Sequence, residues 1–365
     1  MRNPDERFMA ECLKIAKKGA GYVSPNPLVG CLIVKDGKVI GKGFHRAFGE
    51  SHAEVNAVED AKRNGFDLEG ATVYVNLEPC SHRGNTGPCA VLLKNEMPDK
   101  VVIGMQDPYE KVNGKGIKIL KQAGIKVVEG VLQKECREFN KFFINFVTKK
   151  RPFVTLKIAQ SIDGKIALNN KDSKYITSES SRKIVHKMRS EFDAVLIGTN
   201  TAMLDNPKLD ARLTKGRTPF RIVLDKDLKL PEHLEIFNDE NADRTIIISS
   251  VKAIAGKRNI SVRKIPVKQT HGRFSISDIL NSLYEENISS IMVEGGMNLF
   301  SQFLNTGLYD DVFFFIAPKI IGSGISAFDD ASIKSLSSAH ELCLIDQKTI
   351  DNELILHYEN VHRHS

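Results

Sequence analysis

His52-Ala-Glu54, Pro79-Cys80 and Cys89 constrain this chain more than any other feature. An imidazole and two thiols that serve one zinc ion must converge within a few ångströms. Any fold that forms therefore has to bring residues 52, 80 and 89 to one point. Zinc that does chemistry takes three protein ligands and leaves its fourth tetrahedral position to water. His52, Cys80 and Cys89 meet that count, and Glu54, an acid outside the ligand set, follows the histidine by two residues.

Local patterning shows how the convergence can happen. Residues 52–62 read as a helix with Val55, Val58 and Ala61 on one face and Ser51 as N-cap. His52 and Glu54 then lie in its first turn. Residues 72–76 read as a buried strand, and Leu77-Glu-Pro-Cys80 as the turn leaving it. Pro88 opens a second helix over 88–93, with proline at its first position. Helix N-termini beside both thiols favour thiolate. The segment Ser81-His-Arg-Gly-Asn-Thr-Gly87 forms a loop over the site.

His-x-Glu followed by Pro-Cys and a second Cys is the pattern of zinc-dependent nucleobase deaminases, in which the Glu is acid and base, not ligand. One detail departs from it: eight residues separate Cys80 from Cys89, where the general pattern has two. A closed structural zinc site would need His82 as fourth ligand and leaves His-x-Glu unexplained. Two free buried cysteines beside an unrelated histidine, and a Cys80–Cys89 disulfide, are the other readings. Six cysteines at irregular spacing in 365 residues argue instead for a reducing compartment.

The length predicts two domains, and 41% hydrophobic with 27% charged residues is an ordinary globular composition. No apolar run approaches the ~20 residues that span a bilayer, so no membrane partner is expected. The polar Met1-Arg-Asn-Pro4 start carries no export signal, and the cytoplasm is the expected compartment. A net charge of +7 raises nucleic acid as a partner, but the charges are mixed along the chain and Trp is absent. A phosphorylated small molecule fits the basic balance as easily, and no nucleic-acid partner is expected.

Two α/β segments follow from the periodicity. The first has a helix over 7–18, a hairpin of 28–34 with 38–43 through Asp36-Gly37, a strand over 100–105, a helix over 117–123, a strand over 126–128 and a helix over 132–146. Lys149-Lys-Arg-Pro152 reads as a linker, and the domains are expected at 1–147 and 148–365. The second starts with a strand at Phe153, has Ser178 capping a helix over 181–191, and continues with strands over 193–198, 220–224, 245–249, 288–294 and 311–316. Short strands around 342–345 and 353–357 close it, and 363–365 reads as a frayed tail. Strand, Glu294-Gly295-Gly296 and helix outline a phosphate site, though without a full glycine fingerprint.

From about residue 5 to 358 the chain resembles the bifunctional riboflavin-biosynthesis deaminase/reductase family. The first half carries Pro25-Asn26-Pro27-Leu-Val-Gly30, His45, His52-Ala-Glu54, Leu77-Glu-Pro-Cys80-Ser-His82 and Cys89, with that family's eight-residue cysteine spacing. The second half carries Lys157-Ile-Ala-Gln-Ser161-Ile-Asp163-Gly164-Lys165, Ile176-Thr177-Ser178, Val185-His186 with Arg189, Leu204-Asp205-Asn206-Pro207 with Arg212, Val293-Glu294-Gly295-Gly296 and Ala317-Pro318-Lys319.

The resemblance implies a cytidine-deaminase-like three-layer α/β domain followed by a dihydrofolate-reductase-like α/β domain. It implies removal of an amino group from 2,5-diamino-6-ribosylamino-4(3H)-pyrimidinone 5′-phosphate, then NADPH-dependent reduction of the ribosyl group of 5-amino-6-(5-phosphoribosylamino)uracil to ribityl. One zinc per chain on His52, Cys80 and Cys89 would work with Glu54 as the catalytic acid and base. Asn26, His45, His82 and Asp107 are the implied deaminase substrate contacts. Lys157, Ser173, Arg189, Leu209, Arg212 and Glu294 are those of the reductase, the two arginines suiting a phosphate. Ala159, Tyr175, Thr201, Asp205 and Lys226 would contact NADPH, with Gly296, Met297, Asn298, Leu299, Phe300, Ser301 and Gln302 cradling its phosphates. The family also implies a homo-oligomer, dimer or tetramer, assembled through the reductase domain.

Against the family pattern, Tyr175 stands for a Trp and Lys226 for a small polar residue. Asn85 and Gly87 alter the loop between the cysteines, and Tyr109-Glu110 replaces Asn-Pro. Two other readings remain: a chain with one competent domain, and a zinc deaminase that edits nucleic acid.

Overall fold

The computed structural model describes residues 3–82, 87–255, 262–270, 272–330 and 333–361. Asn85 and the tail over 363–365 lie outside them. The chain divides into two compact units, Met1–Lys150 and Arg151–Ser365. The division falls three residues beyond the expected boundary because the helix Lys141–Lys149 continues the first unit.

The first unit has five strands: β1 (Gly30–Lys35), β2 (Lys38–Phe44), β3 (Thr72–Leu77), β4 (Lys100–Met105) and β5 (Lys126–Glu129). Their spatial order is β2-β1-β3-β4-β5. β1 runs antiparallel to both neighbours, and β3, β4 and β5 are parallel. Asp36 and Gly37 both take positive φ in the β1–β2 turn, which lets two residues reverse the chain. Helices α1 (Pro4–Ala16), α2 (Ala53–Arg63), α3 (Cys89–Glu96) and α4 (Lys115–Gln122) supply the apolar faces that close a core around Ile33, Val73, Val75, Val102 and Ile103. Each such side chain contributes roughly 1.5–3 kcal/mol by leaving water.

Three local expectations change. Ser51 is not the cap of α2: His52 occupies the N-cap with an extended backbone, and no side chain caps the helix. Likewise Pro88 is the N-cap of α3, and Cys89 is its first residue. The helix expected over 132–146 is two, α5 (Gln133–Phe139) and α6 (Lys141–Lys149). Asn140 breaks them apart because its amide is committed elsewhere. Its Oδ1 accepts from Leu28 N at 2.8 Å and its Nδ2 donates to Leu28 O at 3.1 Å.

In the second unit nine strands form one sheet. Their order is Arg263–Val267, Thr245–Ser250, Phe220–Leu224, Ala194–Gly198, Ser290–Val293, Phe153–Ser161, Asp311–Ala317, Glu353–Asn360 and Leu342–Ile350. The first seven are parallel, and the last two form an antiparallel hairpin longer than its sequence suggested. Runs such as Ile246-Ile247-Ile248 are buried on both sides, as parallel strands between helices require. Arg151, expected in a linker, is instead pinned to Asp310 by two hydrogen bonds of 2.7 and 2.8 Å. The helix Glu179–Glu191 begins at Ser178, whose hydroxyl accepts from Ser181 N at 3.3 Å.

Candidate active sites

In the first unit, α2 lies tightly against β2 because β2 has glycines beneath it. A Cβ on Gly43 would stand 2.3 Å from Ala53 O, and one on Gly41 would stand 2.5 Å from Ala57 O. This close approach fixes where α2 begins, and hence where His52 and Glu54 sit. Cys80 arrives on the turn after β3, and Cys89 on the first residue of α3.

The three side chains converge. His52 Nδ1 is 3.3 Å from Cys89 Sγ and 3.6 Å from Cys80 Sγ, and all three donor atoms lie within 4.8 Å of one another. Zinc–nitrogen and zinc–sulfur bonds of tetrahedral length place such atoms about 3.6 Å apart. One nitrogen and two sulfurs at this spacing fit zinc with a position to spare. His82 is exposed and not among the clustered donors, and none of the six cysteines is in a disulfide. Hydrogen bonds from Cys89 and His52 hold the Cys80 thiol well below its ordinary range despite burial.

Glu54 is 3% exposed. Burial, then the neighbouring Cys80 charge, push its carboxyl up to about 7. His45 is also buried. Its Nδ1 is 3.2 Å from Ser51 O and its Nε2 3.2 Å from Asn26 Nδ2, which fits the neutral ring with the proton on Nδ1. Burial lowers its pKa accordingly. The rings of His45 and His52 meet edge to face at 5.5 Å. Asn26 and His45 therefore stand beside the His52–Cys80–Cys89 cluster.

His82 and Asp107 meet at a residue that the sequence offered only as a departure. The Tyr109 ring meets His82 edge to face at 6.2 Å, and Tyr109 N donates to Asp107 Oδ1 at 2.8 Å. Burial pushes the Asp107 carboxyl up to about 7. Sequence reasoning missed Glu78. Its buried carboxylate accepts from the backbone N–H groups of Asp107, Gly114, Gly116 and Ile117 at 2.9–3.2 Å. It thus binds the Cys80 turn to the segment that carries Asp107.

The second unit holds a cleft of about 1030 Å³ at the carboxyl ends of the parallel strands, where open α/β sheets take ligands. Lys157, Ser173, Arg189, Leu209, Arg212 and Glu294 line it. Ala159, Tyr175, Thr201, Asp205, Lys226 and every residue from Gly296 to Gln302 line it too. The helix Met297–Thr306 has Gly296 as its N-cap and no capping side chain, so its first N–H groups remain for an anion. With Lys171 and Lys226 also in the cleft, the surroundings suit a dinucleotide's phosphates.

Arg189 is not on a solvated helix face. Its Nε and a terminal nitrogen donate to the two Glu294 oxygens at 2.6 and 3.0 Å, and another N–H donates to Asp210 O at 3.1 Å. Lys157 Nζ donates to the same carboxylate at 3.2 Å. Burial alone would raise the Glu294 pKa, but the charges of Arg189 and Lys157 outweigh it and hold the group ionised. The Arg189 fork, expected to face a phosphate, is turned to Glu294. Arg212 keeps an open side: its side chain is 55% exposed and donates to Asp210 Oδ1 at 2.5 Å.

Comparison with known proteins settles the family. The RibD C-terminal domain model matches residues 152–356, and the cytidine and deoxycytidylate deaminase zinc-binding region matches residues 2–105. The chain belongs to the RibD family. It is 38% identical to the riboflavin biosynthesis protein RibD of Aquifex aeolicus (strain VF5), over 98% of this chain and 99% of that one. With RibD of Escherichia coli (strain K12) it shares 35% identity, over 87% and 89%. A solved Thermotoga maritima diaminohydroxyphosphoribosylaminopyrimidine deaminase/5-amino-6-(5-phosphoribosylamino)uracil reductase superposes with a TM-score of 0.89 at 40% identity, covering 98% and 99%. The chain is thus a bifunctional enzyme of riboflavin biosynthesis, with a deaminase and a reductase domain. Zinc and NADPH are the cofactors of these two domain families. No helix among its described residues is long and apolar enough to cross a membrane.

Proposed function

We propose that the first unit deaminates 2,5-diamino-6-ribosylamino-4(3H)-pyrimidinone 5′-phosphate. The second then reduces the ribosyl group of 5-amino-6-(5-phosphoribosylamino)uracil to ribityl. The observation that carries the first step is the His52–Cys80–Cys89 convergence with buried Glu54 beside it. One zinc per chain, held by these three residues, would supply the Lewis acid that makes water nucleophilic at neutral pH. Glu54 would pass the first proton of the attacking water to the ring nitrogen and its second proton to the departing amine. Asn26 and neutral His45 orient the pyrimidine, and His82 and Asp107 hold its other edge.

In the second unit NADPH supplies the hydride. The N–H groups at Gly296 and beyond, with Lys226, would hold the cofactor phosphates, and Ala159, Tyr175, Thr201 and Asp205 would contact the rest of it. Ser173, Leu209, Arg212 and the Lys157–Glu294–Arg189 group shape the substrate end, with Arg212 taking the phosphate.

The strand Leu342–Ile350 lies at the sheet edge with Leu344 and Ile345 exposed, and it supports assembly into a dimer or tetramer through this unit. Free thiols as zinc ligands fit the reducing cytoplasm. Glu54→Gln tests the reading when each step is assayed on its own intermediate. Zinc content should persist and the reduction should proceed, while deamination falls by at least about a hundredfold. A wild-type chain that holds zinc yet does not deaminate would refute the first half.

A further inference from the structure

Tyr175 sits on an irregular segment between residues 169 and 178 and is 67% exposed at the cleft wall. A ring so placed has many orientations, and only some of them present a face to a ligand. Two cations restrict it. Lys319 Nζ donates to Tyr175 O at 2.8 Å, fixing the backbone. The Arg182 guanidinium lies over the ring, 4.4 Å from its centre.

Arg182 is itself held. It stands in the first turn of the helix Glu179–Glu191, and NH1 donates to Thr177 O at 2.9 Å. Glu179, the acid nearest in sequence, pairs with Lys183 instead. Among the described residues no carboxylate forms an ion pair with Arg182. Glu179 is close enough to feel its charge but forms no ion pair with it, and the guanidinium stays over the ring.

We propose that Arg182 is a positioning residue for NADPH: it clamps one face of Tyr175 so that the other stays set for a flat ring of the cofactor. The inference rests on the reading of Tyr175 as a cofactor contact. Arg182 spends its planar charge on the tyrosine, and the ordering cost of the aromatic wall is met before the cofactor arrives.

The test is a double-mutant cycle on the full-length enzyme, with NADPH as probe. Arg182→Met should raise the Kd and KM for NADPH about two- to fivefold, the size of a cation–π contact at an exposed site. The effect should fall on KM more than on kcat. Arg182→Lys, which keeps the charge but loses the planar stack, should fall between. In the Tyr175→Ala background neither change should add anything.

Because the chain has no Trp, Tyr175→Trp gives a single indole whose energy transfer to bound NADPH reports the ring's placement. Adding Arg182→Met should reduce that transfer at saturating NADPH. If Tyr175→Ala leaves NADPH affinity unchanged, the cofactor role of Tyr175 fails. If Tyr175→Ala weakens binding but Arg182→Met does not, only the clamp fails. An equal effect of Arg182→Met in both backgrounds would make Arg182 a direct cofactor contact and overturn the positioning role.

Discussion

Arg189 and Glu294, 105 residues apart, face each other fork to fork, with Nε to Oε1 at 2.6 Å and a terminal nitrogen to Oε2 at 3.0 Å. The pair is largely, not fully, buried in the reductase cleft together with Lys157. Glu294→Gln leaves two buried cations facing a neutral amide. It should cost the second unit about 3–5 kcal/mol in urea unfolding and abolish reduction. An unchanged unfolding midpoint would show that the cations find other partners.

Glu78 should matter to the deaminase without touching its substrate. Each carboxylate oxygen accepts from two backbone N–H groups. Glu78→Gln turns an NH2 toward two of those donors, and a loss on the order of 2–3 kcal/mol is expected in thermal unfolding. Deamination should weaken through KM as Asp107 loses its fixed place, while reduction kinetics stay as they were.

Zinc content gives a direct check on the ligand set. Elemental analysis should find one zinc per wild-type chain, and Cys89→Ser should remove it. Chelation should lower the melting temperature of the wild-type first unit and leave that of Cys89→Ser unmoved, because only the former has binding energy to lose.

His186 sets a pH dependence in the second unit. It is 4% exposed, and among the described residues its Nδ1 has no hydrogen-bond partner. Burial, then the charges of Arg189 and Arg212, lower its pKa from 6.5 to about 4, against the pull of Asp210 and Glu294. As pH falls through 6.5 the unfolded chain takes the proton and the folded one does not, so stability is lost from there down to about 4. Between pH 7 and 5 this loss is about 2 kcal/mol. His186→Asn should remove that part of the slope in urea titrations, and an identical slope in both proteins would refute it.

What could be read from sequence was local. His52, Glu54, Cys80 and Cys89 are each specified by neighbours a few residues away, and helix periodicity put them near element ends. Ser178 likewise announced its cap. Asn140 did not announce a break, because its cause is Leu28, 112 residues earlier. The Arg189 fork was assigned to a phosphate since its true partner, Glu294, is remote in sequence. Glu78 left no trace because its partners are backbone N–H groups, which every residue but proline carries.

Glu353 brings time into the picture. Its carboxylate accepts from Ser178 N at 2.6 Å and Ser178 Oγ at 2.9 Å, and from the Ser181 hydroxyl. These groups form the first turn of the helix that bears Arg182, His186 and Arg189. Glu353 lies 175 residues downstream of Ser178. On the ribosome that turn must wait without its anchor through most of the second unit's synthesis, while His52, Cys80 and Cys89, the first unit's clustered donors, have long been made. A translating chain would therefore become competent to bind zinc well before it could hold NADPH in a finished cleft.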